Sequence, residues 1–181
     1  MFTGCGYRWS AEDACRSISV PYVSGDQDGA LTAEIIRRLC SSPHIRVSSD
    51  APDRLAIAIV QEGADSIGYR RDPQKVKGKI RKNLVANEER KTMTVEVSLF
   101  RGCAEEPVFG PQRLSAYIDY DYIDGDSIQD LEFQNSSGQT VVVLPFSLGQ
   151  LEPQEAAQEA SNRPLYEKLS QKIVDVVNSQ W

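Results

Sequence analysis

Polar and apolar side chains alternate through Ser17-Ile18-Ser19-Val20-Pro21-Tyr22-Val23, the period-two pattern of a half-buried strand. Pro21 has no N–H to give a ladder and suits an edge or a strand end. The turn-forming run Ser24-Gly25-Asp26-Gln27-Asp28-Gly29 follows, and the period then changes: Leu31, Ile35 and Leu39 recur every four residues with Ile36 beside them. That spacing predicts an amphipathic helix whose free N–H groups Asp26 or Asp28 would cap, ended by Ser41-Ser42-Pro43.

Alternation returns at Arg54–Val60, with Leu55, Ile57 and Ile59 on one face and Ala56, Ala58 and Val60 on the other, which predicts a strand covered, or nearly so, on both sides. Lys91–Arg101 is more clearly amphipathic: Met93, Val95, Val97 and Leu99 point one way, and Thr92, Thr94, Glu96 and Ser98 the other. Arg113–Ile123 repeats this with Leu114, Ala116, Ile118 and Tyr120 against Ser115, Tyr117, Asp119 and Asp121. The polar stretch Asp124–Gln139, with Asn135-Ser136-Ser137-Gly138, predicts a hairpin or exposed loop before the apolar run Val141-Val142-Val143-Leu144, a candidate strand. Residues 154–160 are helix-compatible, and Pro164 suits the first turn of a final helix with Leu165, Leu169, Ile173, Val176 and Val177 as its stripe. The expected fold is α+β: a two-layer sandwich with a mainly antiparallel four-stranded sheet and two helices packed on one face. With no internal repeat or composition shift, residues 7–181 read as a single domain.

Charge and cysteine content narrow the function. The chain carries 20 Lys plus Arg against 26 Asp plus Glu, a net charge of -6, so an acidic field surrounds it and a general nucleic-acid binder is not expected. No apolar run approaches the ~20 residues a spanning helix needs. Residues 1–6 read as the remnant of a lipoprotein signal, with Cys5 of Met1-Phe2-Thr3-Gly4-Cys5-Gly6-Tyr7 as the lipid-anchor site; membrane association would be through that anchor alone. Cys15, Cys40 and Cys103 remain, an odd number, and an oxidising periplasm permits one disulfide among them without the sequence choosing the pair.

No spacing resembles a zinc site, and the lone His44 follows Pro43 in a loop, away from any nucleophile arrangement. The Gly25–Gly29 turn lacks a P-loop lysine and the dinucleotide spacing. The acidic run Asp119-Tyr120-Asp121-Tyr122-Ile123-Asp124-Gly125-Asp126 invites a calcium reading, yet its spacing is not that of an EF-hand and its alternation fits the solvated face of a strand entering a turn. The expectation is a binding protein, not an enzyme, with no cofactor and no metal.

One segment stands against the acidic background. Arg70, Arg71, Lys75, Lys77, Lys79, Arg81 and Lys82 fall between Tyr69 and Lys82; if the backbone is extended, Lys75, Lys77 and Lys79 share one side, flanked by Val76 and Ile80. Such a strip can meet phosphates or carboxylates of a glycolipid, Arg as a bidentate fork and Lys as a point charge. It can equally serve as a solvated guard on a hairpin edge.

Taken in order, short motifs resemble one family. Thr3-Gly4-Cys5-Gly6-Tyr7 resembles a lipidated start, Ser24-Gly25-Asp26-Gln27-Asp28-Gly29-Ala30-Leu31 a turn from first strand to first helix, Asp65-Ser66-Ile67-Gly68-Tyr69-Arg70 the segment joining the second and third strands, and Leu165-Tyr166-Glu167-Lys168-Leu169 the start of a closing helix. Together they are similar to the LPS-assembly lipoprotein LptE family over nearly the whole chain. The resemblance implies two helices against a four-stranded sheet and an anchor in the inner leaflet of the outer membrane. It further implies an LptD-like β-barrel that the protein plugs, and binding of lipopolysaccharide or lipooligosaccharide. A family arginine contact falls on Arg70. A second basic contact, after the fourth strand, has no counterpart, since Asp119–Gln139 is longer and acidic here. The alternative function is a periplasmic lipoprotein pilot or adaptor that binds only a partner protein.

Overall fold

The computed structural model describes residues 15–76, 79–122, 132–142 and 154–180. In chain order these form β1 (Arg16–Ser19), α1 (Ala30–Cys40), β2 (Ile45–Val47), β3 (Asp53–Val76), β4 (Lys79–Arg101), β5 (Phe109–Asp121), β6 (Glu132–Gln134), β7 (Thr140–Val142) and α2 (Gln154–Ser179). One sheet has the order β2-β1-β3-β4-β5, and β6 pairs antiparallel with β7 in a separate hairpin. β1 is parallel to both β2 and β3, with Ile18 opposite Val47 on one side and Asp53 on the other. β4 and β5 are antiparallel: Val108 N–H donates to the Leu99 carbonyl and Tyr122 N–H to that of Asn87, so one number rises as the other falls. β3 and β4 are neighbours joined by residues 77 and 78 alone, a connection only an antiparallel pair allows.

The α+β sandwich is thus as the pattern implies, but the sheet has five strands, not four, and is mixed. The added strand, Ile45-Arg46-Val47, is too short to display alternation. Its direction follows from α1, which carries the chain back so that β1 and β2 start from the same end, as in a βαβ crossover. The expected hairpin around Asn135-Ser136-Ser137-Gly138 forms between β6 and β7.

The chain divides into two compact units. One holds β1, α1, β2, Asp53–Ala58 of β3, Glu96–Arg101 of β4, the start of β5 and Ser170–Ser179 of α2. Its core buries Ile18, Leu31, Ile35, Leu39, Leu55, Ile57, Val97, Leu99, Ile173 and Val177. The period of four in α1 becomes a stripe because residues four apart stack on one helix face. Both expected caps are used: Asp28 accepts the Ala30 N–H at 3.0 Å, and buried Asp26 accepts the Thr32 N–H at 2.8 Å and its hydroxyl at 2.6 Å. Gly29 has φ 77, and a Cβ there would stand 3.3 Å from the Tyr22 ring, so backbone and space both call for glycine. Leu55 and Ile57 are buried while Ala56 and Ala58 are half-buried, so this part of β3 is fully covered on one face and partly on the other. Cys15, Cys40 and Cys103 are exposed thiols.

The other unit holds the rest of β3, β4 up to Val95, β5 from Arg113, the β6–β7 hairpin and α2 up to Leu169. Met93 and Val95 of β4, Ala116 of β5 and Ala157, Leu165 and Leu169 of α2 are buried. α2 is continuous from Gln154, so Pro164 sits inside the helix and not in its first turn as expected. The Gln, Glu and Ala of 154–160 supply enough helix propensity to extend the helix upstream of it.

Candidate anion-binding hairpin

β3 and β4 outrun the rest of the sheet. β5 ends at Asp121, and the Tyr122 N–H reaches the carbonyl of Asn87, so the part of β4 from Lys79 to Leu84 lies beyond the end of β5. Among the described residues, the hairpin end is therefore a two-stranded ribbon. It is also where the basic segment falls, as seven basic residues against one acid, Asp72, between positions 70 and 82. Half-buried Arg70 and exposed Arg71 lie on β3 with Lys75, while Lys79, Arg81 and Lys82 lie on β4. Lys77 lies outside the described residues, as does Cys5.

The fold corrects the expected strip. Lys75 and Lys79 do not follow one another along a single extended strand; they sit on facing strands on either side of residues 77 and 78. Folding the segment back brings its positions on β3 and β4 to the same end of the ribbon. Among the described residues Arg70, Arg71, Lys75, Lys79, Arg81 and Lys82 are so gathered. A surface of this kind can hold phosphate or carboxylate groups.

The base of the ribbon is fixed by polar contacts that the sequence reading missed. Glu89, buried on β4, accepts from the Tyr120 hydroxyl at 2.6 Å, the Gln154 amide at 2.7 Å and the Tyr122 hydroxyl at 3.3 Å. Burial, then the neighbouring Glu89, push the Tyr120 hydroxyl well above the ordinary tyrosine range, so it stays a proton donor. Lys91, also buried, pairs with Glu62 at 2.9 Å and donates to the Asn162 side chain at 2.5 Å. Carrying the inward parity of Met93 and Val95 back along the strand reaches Lys91 and Glu89, which is the signal that would have found them.

On the opposite face of β4 from Glu89 and Lys91, Arg90 forms a two-pronged pair with Asp119 of β5 at 2.7 and 2.8 Å and lies over the Tyr117 ring. The hydrogen bond from Arg90 holds the Asp119 carboxyl below the usual range. Gly68 supports the ribbon in another way: a Cβ there would stand 2.5 Å from the Glu88 Cβ, so only glycine lets the two strands meet at this point. Ile67, Tyr69 and Leu84, near the basic cluster, expose 40%, 56% and 66% of their surface.

No protein-family model matches the chain, and no curated protein matches it in sequence. Solved structures do. A Caulobacter crescentus protein assigned as a lipoprotein superposes with a TM-score of 0.50 at 14% identity, over 90% of this chain and 88% of that one. That likeness establishes a shared fold. A minor lipoprotein from Acinetobacter baumannii gives 0.47 at 13% identity, over 92% of each chain. The rare lipoprotein B from Shewanella oneidensis gives 0.43 at 14% identity, over 91% of this chain and 96% of that one.

Proposed function

We propose that this protein is an outer-membrane lipoprotein of the LptE type, anchored through Cys5 on the periplasmic side. In this reading it seats in and helps assemble an LptD-like β-barrel, and its ribbon meets the anionic head group of lipopolysaccharide or lipooligosaccharide. Its work is binding, with no catalytic step. The observation that carries the reading is the gathering of six described basic residues at one hairpin end of a chain whose net charge is -6. The ordered motifs from Thr3 to Leu169 and a fold shared with an assigned lipoprotein support it.

Arg70 and Arg71 would fork onto phosphate oxygens, and the lysines would add screened point charges. Exposed Tyr69 and Leu84 beside them offer apolar surface to the lipid side of the ligand. Two experiments test this. Affinity purification of the full-length, membrane-anchored protein from its native envelope should recover a large β-barrel in stoichiometric amount; another secretion or assembly protein in its place would favour a pilot or adaptor. Replacing Arg70, Lys75, Lys77 and Lys79 together by Glu should weaken glycolipid binding at least tenfold with an unchanged circular dichroism spectrum. Unchanged binding would remove the ribbon from the site.

A further inference from the structure

Beyond Ala58, β3 is paired with β4 on one side and, among the described residues, with no strand on the other. Every residue from Val60 to Ile67 is exposed, and nothing stands within 4 Å of the place a Cβ on Gly63 would take. An edge of this length offers a row of N–H and C=O groups to another strand unless proline, lysine or a covering element blocks it. The stretch Gln61–Tyr69 contains no Pro, Lys or Arg. β5, at the other margin of the sheet, is better guarded: Lys168 of α2 donates to the Tyr117 carbonyl at 3.3 Å.

The open edge is complementary to itself. In an antiparallel pairing in which Ser66 faces Ser66 of a second copy, Glu62 lies opposite Arg70 and, by symmetry, Arg70 opposite Glu62, giving two opposite-charge pairs. Gly63 lies opposite Tyr69, whose exposed ring can cover the open surface beside a glycine, a known remedy for glycine at a sheet edge. Ala64 meets Gly68, where two small residues let the backbones close. Shifting the register by two residues puts Glu62 opposite Asp72 in one direction and Gly68 in the other, and both charge pairs are lost.

We propose that β3 pairs edge to edge with β3 of a second copy of this chain, antiparallel from Gln61 to Arg71, forming a symmetric dimer with one continuous sheet. The pairing takes up Tyr69, Arg70 and Arg71 of the proposed glycolipid site, so dimer and ligand compete for this edge, and sedimentation of the ligand-free chain reads the pairing alone.

Sedimentation equilibrium of the purified full chain over roughly 1 to 100 µM should show a monomer–dimer equilibrium. Arg70→Glu should weaken the dimer about tenfold, by replacing two attractive pairs with repulsive ones, whereas Lys82→Glu, the same charge change outside the paired stretch, should leave it unchanged. Equal effects of both reversals would assign the association to general charge and overturn this pairing. With Cys5, Cys15, Cys40 and Cys103 replaced by Ser, Ser66→Cys should form a disulfide-linked dimer faster than Gln61→Cys, which faces position 71. A monomer at every concentration overturns the proposal, as does faster linkage through position 61.

Discussion

At the scale of single residues, several positions that looked like composition have a steric or electrostatic reason. Gly68 belongs to the motif Asp65-Ser66-Ile67-Gly68-Tyr69-Arg70, and the reason for glycine there is Glu88 on the facing strand. Gly68→Ala should destabilise the protein by about 1–3 kcal/mol in urea titration, because Glu88 or the backbone must move. Asp119 gives a pH prediction with a definite sign. Arg90 holds its folded-state value below the ordinary 3.8, so its contribution is fully present above that value and is lost as pH falls through the lower folded one. Asp119→Asn should therefore lower the melting temperature near neutrality, and the two proteins should converge once acidification passes below the lowered folded-state value. Parallel curves throughout would mean that the pair does not couple to folding.

Among the elements, the helices were the most legible in sequence, since a period of four and a pair of capping carboxylates are local features. α1 starts and ends where Asp26, Asp28 and Pro43 place it. The start of α2 is not legible in sequence because Pro164 has two roles open to it, first turn or tolerated interruption, and only packing of the upstream turns decides between them. Buried Ala157 shows those turns docked. Inside the helix Pro164 leaves one carbonyl without its partner, so Pro164→Ala should raise stability by about 1–3 kcal/mol, as read by thermal and urea unfolding. The distal half of β3 was illegible for a different reason. Gln61-Glu62-Gly63-Ala64-Asp65 has no apolar alternation because neither of its faces is buried, and among the described residues it is a strand through its backbone pairing to β4 alone.

On the scale of the whole molecule, charge is separated. Thirteen positions from Arg70 to Lys82 carry a net +6, while the chain totals -6, so the remainder carries -12. Binding of an anionic glycolipid at the ribbon should therefore weaken several-fold between about 0.05 and 0.5 M NaCl, as the Debye length shrinks below the spacing of the charges. Salt-independent binding would point to apolar contacts instead. The sequence by itself determined which side chains face the core in α1, β4 and β5, how α1 is capped, and that the positive charges are confined to one segment. Each of these depends on neighbours within a few residues. Only the tertiary structure decided that β1 runs parallel to β2 and β3, and that Lys75 and Lys79 lie on facing strands. It likewise placed Glu89 and Lys91 at the base of the ribbon and, among the described residues, left one edge of β3 open. Strand pairing joins backbone groups far apart in the chain, and no local pattern encodes the partner.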